Sequence, residues 1–415
     1  MLKNYFKMAL KVLLKHKLFT FISLFGISIT LLILIVITSL IDHTFGTMPP
    51  ETNLDRTLSV TMARLETEKG GTWSGPTMSY YFFDKYVKCL ETPEMISISS
   101  FHIPITTYSG DKKLNLGIKF TDGEFWKILN FDYIEGKSFS VEDVENANQV
   151  AVINEMTKEK YFGGKTAIGE TIEADGKEFK VIGVVKNVSI LRIMPYSDIW
   201  VPITLSKEEL YKPTLIGSFP AFYAMALARD KSDIPKIKEE FRSKIDNIEF
   251  PEGKFTKIYI EASTYAEALS RQLFRTEEGK VGPLLLILLL LAIAFMLLPS
   301  VNLVNINISR IVERESEIGI RKAFGASSLS LVGQFVIENI IITLIGGFIA
   351  MALAAIILQT INDSGLIPHV DLSLNYRIFF YSLVISLIFG LISGVYPAYK
   401  MSRLHPAEAL RGGKA

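Results

Sequence analysis

The feature that most constrains this chain is the collection of its apolar residues into long blocks without charge. Residues Leu18 to Ile41 contain no charged side chain over 24 positions. A bilayer core of about 30 Å is crossed by roughly 20 helical residues, so this block is long enough to span a membrane. Three further apolar blocks follow later in the chain, at residues 281–308, 328–358 and 378–399. The pattern predicts a membrane protein with four transmembrane α-helices.

Lysine and arginine near these blocks predict the orientation. The leader, residues 1–17, has five lysines and no acidic residue. The connection 309–327 and the tail 400–415 are also basic, whereas the loop 359–377 has one arginine. Because short loops rich in lysine and arginine stay in the cytoplasm, we expect both termini inside and residues 42–280 outside.

The leader itself has a periodic pattern. Its lysines recur every four residues from Lys3 to Lys15, with leucine and phenylalanine on another side. This pattern predicts an amphipathic helix at the inner interface, with the lysines toward lipid phosphates. A cleaved signal peptide is the competing interpretation, but the apolar run is too long and no small-x-small cleavage site follows it.

The segment 42–280 has the composition of a soluble domain, and its pattern predicts an α+β extracytoplasmic domain between spans 1 and 2. The runs Ile172–Ala174 and Phe179–Val185, joined through Asp175-Gly176, predict a hairpin with a tight turn. Helical spacing recurs at Glu155–Phe162, Ile234–Ile245 and Thr264–Arg275. The last of these predicts a helical stalk that leads from the domain into span 2.

No group of residues has the pattern of a catalytic site. Gly163-Gly164-Lys165-Thr166 resembles the end of a phosphate-binding loop, but Glu159 stands where that loop needs a glycine. The single cysteine, Cys89, cannot form an intramolecular disulfide, and no Cys/His spacing predicts a metal site. A net charge of +1 argues against a nucleic-acid partner. We therefore expect a protein that is not an enzyme and that holds no metal or cofactor of its own.

Glu338 is the acidic residue within the third apolar block. A carboxylate at the middle of the bilayer costs about 2.5–3.5 kcal/mol on insertion scales. If the helix begins near Ser328, Glu338 lies about 15 Å inside it, at 1.5 Å per residue, where a polar contact would serve function. If the helix begins later, Glu338 lies at the inner interface. The sequence leaves both interpretations open.

The basic connection between spans 2 and 3 also contains paired charges. Glu313 with Glu317, and Glu317 with Arg321, are four residues apart on a helix. Gly325 is suited to end that helix. A helix exposed to solvent and a helix that docks on a partner both fit this spacing.

Several stretches resemble the MacB/FtsX/LolC family of ABC-transporter permeases. ERESEIGIRKAFGAS, residues 313–327, is similar to the coupling segment of that family, and LFGISITLLILIVI, residues 24–37, to its first span. Residues 131–188 resemble the MacB-type extracytoplasmic domain. GVYPAYKMSRLHPAEALRGG resembles the C-terminal signature, with matching residues at Pro397, Ala398, Pro406, Ala409, Leu410 and Arg411.

The resemblance implies a permease half in the bacterial inner membrane that pairs with a second copy or a related permease. It also implies a separate cytoplasmic ABC ATPase, which would bind ATP and Mg²⁺. The residues that would couple to this ATPase are Glu313, Glu315, Glu317, Ile318, Gly319, Ile320, Arg321, Lys322 and Gly325. The family further implies mechanotransmission, in which closure of the ATPase pair moves the spans and thereby the outer domain, while substrate does not cross the lipid.

Two functions fit this resemblance. The first is an exporter or extractor of peptides, drugs, lipids or lipoproteins, with a periplasmic adaptor and an outer-membrane channel as further partners. The second is an FtsX-like signalling scaffold that activates a cell-wall enzyme. The outer segment has about 240 residues, which favours the exporter because a small outer domain would suit the scaffold. A membrane enzyme is a third alternative, which the lack of a catalytic pattern disfavours.

Overall fold

The structure is a computed structural model of the chain. It describes residues 13–15, 17–75, 78–206, 209–217, 220–250, 255–274, 279–291 and 324–377, with further single positions up to residue 391. The chain divides into two units. The helical unit comprises residues 1–42, 285–366 and 372–415, and the sheet unit comprises residues 43–284 and 367–371.

Helices occur in both units. They are α1 (Lys17–Phe45), α2 (Tyr80–Tyr86), α3 (Phe125–Ile128), α4 (Val141–Glu145), α5 (Glu155–Phe162), α6 (Ile234–Asp246), α7 (Tyr265–Phe274), α8 (Val281–Leu291) and α9 (Ser328–Ser364). Among the described helices, α1 and α9 are long and apolar enough to cross a membrane, and α8 is a shorter apolar helix. Much of the predicted spans 281–308 and 378–399 lies outside the described residues.

The two long helices extend beyond the predicted spans. Helix α1 continues past the predicted end at Ile41 to Phe45. Helix α9 begins at the predicted Ser328, where the Ser327 hydroxyl accepts a hydrogen bond from the Ser330 amide, but it continues past Leu358 to Ser364. Helical geometry outlasts the apolar sequence there, because the polar residues before Gly365 do not break a helix. Gly365 ends it with φ +64°.

Helices α1 and α9 pack closely within the helical unit. A Cβ atom on Gly346 would lie 2.8 Å from Ile27 Cγ2. The Ser28 hydroxyl donates to the Gly346 carbonyl oxygen at 3.1 Å. Buried Leu31, Ile35 and Ile342 belong to the same apolar cluster. A glycine at position 346 therefore permits the close approach of the two helices, as small residues do in membrane bundles.

A mixed sheet forms the core of the sheet unit. The strands are β1 (Thr57–Val60), β2 (Ala63–Glu66), β3 (Thr72–Gly75), β4 (Met95–Ser100), β5 (Ile103–Ser109), β6 (Lys112–Thr121), β7 (Tyr133–Gly136), β8 (Val150–Asn154), β9 (Thr171–Ala174), β10 (Lys177–Val185), β11 (Ile199–Pro202), β12 (Phe222–Leu227) and β13 (Lys257–Ile260). Ten strands pair in the order β1-β12-β4-β6-β11-β8-β10-β7, with β5 beside β6 and β9 beside β10. Strands β13, β2 and β3 form a second sheet. The expected α+β class of this domain is confirmed.

The predicted hairpin is confirmed. Strands β9 and β10 are antiparallel, with Ala174 opposite Lys177. The turn residues Asp175 and Gly176 have φ values of 52° and 73°. Two central residues with positive φ define the type I′ turn, which fits the twist of the strands and favours Asp-Gly.

Two of the predicted helices of the sheet unit are present with nearly the predicted bounds. Glu155–Phe162 is helical with the predicted bounds, and the helix that begins at Ile234 continues one residue past the predicted Ile245. Gly163 and Gly164 end the first of these helices with positive φ. A phosphate-binding loop would instead precede a helix.

The predicted helix Thr264–Arg275 is present as α7, but α7 and α8 do not form one continuous helix. Helix α7 ends at Phe274, residues Gly279 and Lys280 are not helical, and α8 begins at Val281. The Lys280 carbonyl oxygen accepts a hydrogen bond from the Ser270 hydroxyl at 2.6 Å. In a straight helix these residues would be about 15 Å apart along the axis. Pro283 lies in the first turn of the new helix, where its missing N–H has no partner to lose.

Candidate functional site

The residues predicted to couple to an ATPase lie mainly outside the described part of the chain. Those outside are Glu313, Glu315, Glu317, Ile318, Gly319, Arg321 and Lys322, together with Pro397, Pro406, Leu410 and Arg411 of the tail. Ile320 and Gly325 are described. The Phe324 amide donates to the Ile320 carbonyl oxygen at 3.0 Å, and Gly325 has φ +88°. The Phe324 side chain is 89% exposed, so an apolar ring projects from this turn.

Glu338 lies inside helix α9, ten residues after its first residue. The side chain is 1% exposed. The Gln334 side-chain amide, one turn earlier, donates to Glu338 Oε1 at 2.9 Å. Asn339 and Thr343 are also buried. These residues form a buried polar group within the apolar part of helix α9.

The sheet unit contains a second group of buried polar residues, around the connection from β10 to β11. This β10–β11 connection comprises residues 186–198. The Trp200 indole donates to the Pro195 carbonyl oxygen at 3.2 Å, and the Tyr223 hydroxyl donates to the Met194 carbonyl oxygen at 2.6 Å. The connection is therefore bound to side chains of β11 and β12, both of which lie within the sheet.

Arg192 of this connection forms a buried ion pair. Its Nη1 atom lies 2.7 Å from Glu51 Oε2, and the two side chains are 2% and 6% exposed. Its Nη2 atom donates to the Gly46 carbonyl oxygen at 2.8 Å. Burial raises the pKa of Glu51, and the Arg192 guanidinium opposes that rise. Arg192 thus binds the first residues that follow helix α1.

Lys119 of β6 lies beneath the same connection. Its Nζ atom donates to the Tyr223 hydroxyl at 3.3 Å and to the carbonyl oxygens of Ile193 and Met194. Burial lowers the pKa of Lys119 to about 7, and the Glu51 carboxylate acts in the opposite direction. An ammonium group without solvent contact thus holds two carbonyl groups of the connection.

Asp198, the last residue of the connection, binds the loop that follows helix α9. Its carboxylate accepts hydrogen bonds from the Gly117 amide at 2.7 Å and from Asn154 Nδ2 at 2.9 Å, and His369 Nε2 lies 3.2 Å away. Burial alone would raise the pKa of Asp198, but hydrogen bonds from His369, Gly117 and Asn154 lower it overall. His369 has φ +58°, which is uncommon for a residue other than glycine.

A backbone contact lies beside this pair. The Ile190 amide donates to the Pro368 carbonyl oxygen at 3.2 Å. Residues 367–371, which the sequence places in the loop between spans 3 and 4, belong to the sheet unit by their contacts. The His102 ring lies 4.7 Å from the Tyr196 ring, and burial lowers the pKa of His102. Loop and connection therefore meet at a buried surface.

The described residues offer little space for a small molecule here. A cavity of about 20 Å³ is lined in part by Glu51, Asn53, Met194 and Tyr265. This volume is enough for about one water molecule. Within the described part of the chain, no three His, Cys, Asp or Glu residues are grouped to hold a metal ion. The arrangement joins chain segments that lie far apart in the sequence.

Sequence reasoning did not find the residues of the β10–β11 connection. Arg192 and Glu51 are 141 positions apart, and His369 and Asp198 are 171 apart. The sequence analysis assigned no role to Lys119, although it is a charged residue between the apolar Ile118 and Phe120.

Two family models match the chain. Residues 20–244, more than half of its length, match the MacB-like periplasmic core domain. Residues 289–406 match the FtsX-like permease C-terminal domain. The two matches lie in the order that the sequence resemblance implies.

Curated relatives and a solved structure are also similar. The macrolide export ATP-binding/permease protein MacB of Bdellovibrio bacteriovorus is 26% identical over 67% of this chain and 41% of its own length. The uncharacterized ABC transporter permease YknZ of Bacillus subtilis is 24% identical over 66% of this chain and 65% of its own. The chain thus aligns with about two fifths to two thirds of the length of these relatives. The crystal structure of the extracellular domain of the transporter YknZ from Gram-positive bacteria matches with 17% identity and a TM-score of 0.36, over 48% of this chain and all of that one.

Proposed function

Because the chain belongs to the family of ABC-transporter permeases with a MacB-like periplasmic core domain and an FtsX-like C-terminal domain, we propose that it is the permease subunit of an exporter. The observation that carries the proposal is the succession of the two matched domains along nearly the whole chain. The relative named a macrolide export protein supports outward transport. In this proposal a separate cytoplasmic ATPase binds ATP and Mg²⁺, and the permease performs no chemistry itself.

The proposed topology has four spans with both termini in the cytoplasm of a bacterial cell. Helices α1 and α9 supply two apolar segments of sufficient length. The sheet unit follows α1 in the chain, and the basic leader argues for a cytoplasmic start. The sheet unit would then lie outside the inner membrane.

The proposed mechanism is mechanotransmission from the ATPase to the sheet unit. ATP-bound and ATP-free states can move the sheet unit only if they favour different positions of the helices. Because α7 and α8 are not continuous, they do not form a straight helix that could transmit a displacement along its axis. The displacement must therefore reach the sheet unit through more than the α7–α8 connection.

The remaining partners in this proposal follow the family. The permease would pair with a second copy or a related permease, contact membrane lipids, and work with a periplasmic adaptor and an outer-membrane channel. Its cargo would be a peptide, drug, lipid or lipoprotein. The FtsX-like scaffold is not favoured over the exporter, since the MacB relative is named for macrolide export.

The proposal is tested by reversing the charge of the predicted coupling helix. The double variant Glu315→Lys and Glu317→Lys should remove most of the ABC ATPase that co-purifies with the tagged chain, because the docking surface would then repel a complementary basic surface. We expect a loss of about tenfold or more, which corresponds to ~1.4 kcal/mol of binding free energy. The measurement is quantitative mass spectrometry of the purified complex.

A matched control reverses two exposed acidic residues of helix α4, Glu142→Lys and Glu145→Lys. This control should leave ATPase recovery unchanged. Equal recovery from both double variants would remove the docking role of Glu315 and Glu317. Absence of any ABC ATPase from the wild-type preparation, with a cell-wall hydrolase in its place, would contradict the exporter.

A further inference from the structure

The chain passes between the helical unit and the sheet unit at several points. At two of these points, the stretch next to the helix binds the β10–β11 connection. One is the stretch that follows helix α1, where Gly46 and Glu51 bind Arg192 at 2.8 Å and 2.7 Å. The other is the loop 367–371 that follows helix α9, where Pro368 binds Ile190 and His369 binds Asp198. Both stretches therefore end on the β10–β11 connection.

The two attachments are neighbours within that connection. Ile190 and Arg192 are two residues apart, and the Arg192 amide donates to the Ser189 carbonyl oxygen at 2.9 Å. The Tyr196 amide then donates to the Arg192 carbonyl oxygen at 3.1 Å. These turns make the connection short and internally bonded, so a displacement of Arg192 also displaces Ile190.

The connection also leads directly into the centre of the sheet. Asp198 precedes β11, which lies between β6 and β8 in the ten-stranded sheet. Lys119 of β6 holds the Ile193 and Met194 carbonyl groups. A displacement at the connection therefore has a bonded route to two neighbouring strands.

We propose that the β10–β11 connection is the element through which the stretch after α1 and the loop after α9 are coupled to each other and to the central strands. Arg192 with Glu51 forms one attachment, and His369 with Asp198 forms the other. This inference rests on the proposed function for the purpose of the coupling. It supplies the route that the broken α7–α8 helix does not.

Coupling of this kind is reciprocal, so weakening one attachment must loosen the other. The test is hydrogen exchange, followed by mass spectrometry, on the full chain in detergent. His369→Leu should speed exchange of the Ile190 amide about tenfold, because the loop that accepts its hydrogen bond is released. His369→Gln, which retains a donor near the Nε2 position, should stay close to wild type.

The decisive variant is remote from the loop. Glu51→Gln keeps the size of the side chain but leaves the Arg192 charge without its partner, and the Glu51 carboxylate binds Arg192 rather than the Ile190–Pro368 pair. We expect the Ile190 amide to exchange about threefold faster in this variant, by reciprocity of the two attachments. Arg192→Lys, which cannot serve both acceptors through a planar fork, should act in the same direction.

A control variant and control peptides distinguish coupling from a general loss of stability. Glu94→Gln removes the carboxylate of the Arg56–Glu94 pair elsewhere in the sheet unit and should leave Ile190 unchanged. Peptides from β12, which is buried throughout, should keep their protection in every variant. Wild-type exchange of Ile190 in Glu51→Gln and Arg192→Lys would overturn the proposal, because the attachments would be independent. Loss of β12 protection in both would also overturn it, because Arg192 would then serve stability alone.

This experiment needs neither the ATPase nor a cargo. If the ATPase does not co-purify, the exporter proposal is contradicted, but the hydrogen-exchange result is unaffected. If the ATPase binds normally but the two attachments prove independent, the coupling proposal is contradicted and the exporter proposal is not.

Discussion

At the scale of single residues, the buried charges of the sheet unit are concentrated around one connection. Glu51, Lys119, Arg192 and Asp198 are all buried. Arg192 and Glu51 compensate each other's charge at 2.7 Å, with both side chains almost fully buried.

Lys119 should make the stability of the sheet unit depend on pH. Its pKa is about 7 in the folded chain and near 10.4 when unfolded, so the unfolded chain binds the proton more tightly between these values. The free energy of unfolding should therefore rise with pH in this window, by about 2 kcal/mol from pH 7 to pH 9. All three tryptophans lie between residues 43 and 284, so their fluorescence during denaturation reports on this unit.

Lys119→Met should abolish this rise, because position 119 then carries no group that binds a proton. Lys186→Met removes a lysine that is 66% exposed and should retain the wild-type pH dependence. A Lys119→Met protein with the same pH dependence as wild type would contradict the assignment.

Glu338→Gln should impair ATP-coupled transport with little loss of expression. Glutamine keeps the size of the side chain and an acceptor for Gln334, but it removes the ionisable group. We expect a loss of about tenfold, equivalent to ~1.4 kcal/mol of activation free energy, measured as transport by the reconstituted permease and ATPase. Gln334→Leu, which removes the hydrogen bond and keeps the carboxylate, should have a smaller effect. Normal transport by Glu338→Gln would favour a carboxylate at the interface with no working role.

At this scale, the sequence predicted only features that depend on residues adjacent in the chain. Asp175-Gly176 specified its turn because two adjacent residues determine the backbone there. The role of Lys119 was not predictable, because its hydrogen-bond partners are 74 to 104 positions away. No periodicity relates residues at such separations.

At the scale of elements, hydropathy predicted the positions of helices α1 and α9, and the caps Ser327 and Gly365 bound α9. Helix α9 has 37 residues, or about 55 Å, which exceeds a bilayer core of about 30 Å. Helical spacing predicted helix α7, but it carries no signal for the two residues before α8, Gly279 and Lys280, which are not helical. The reversal near Gly279 and Lys280 depends on contacts with Glu267 and Ser270 that no pattern signals.

The close contact of α1 and α9 should be sensitive to a single methyl group. In Gly346→Ala the new Cβ would lie 2.8 Å from Ile27 Cγ2, and overpacking of this kind costs about 1–3 kcal/mol. Thermal unfolding of the full chain in detergent, followed by far-ultraviolet circular dichroism, should occur at a lower temperature. Gly333→Ala in the same helix meets nothing within 4 Å and should be neutral or stabilising, since alanine favours helices. Equal midpoints for the two variants would contradict the close packing.

At the scale of the whole molecule, charge and hydropathy alone divide the chain into apolar segments and a long stretch of soluble composition. By its contacts, the sheet unit comprises residues 43–284 and the short segment 367–371. Family resemblance supplied what composition could not, the class of transporter. The assignment of residues 367–371 to the sheet unit was not predictable, because a short loop between two apolar blocks carries no signal of the surface that it contacts.

The proposed topology predicts the behaviour of reporter fusions. A reporter inserted after Lys112 should be active outside the inner membrane, whereas reporters after Glu317 or Gly413 should be active in the cytoplasm. The reason is the excess of lysine and arginine near the segments that stay inside. Paired alkaline phosphatase and green fluorescent protein fusions measure this directly. An inverted result at any of the three positions would contradict the topology.

The late position of the loop in the chain has a consequence for synthesis. Residues 367–371 emerge from the ribosome 83 residues after residue 284, the last of the main part of the sheet unit. At roughly 5–20 residues per second, that interval is about 4–17 s. During that time the strands of the nascent sheet unit can pair. Asp198 and Ile190 are then exposed to water, because His369 and Pro368 have not yet been made. Maturation of the sheet unit therefore waits for translation of helix α9, which makes the unit complete only when the second half of the permease has been made.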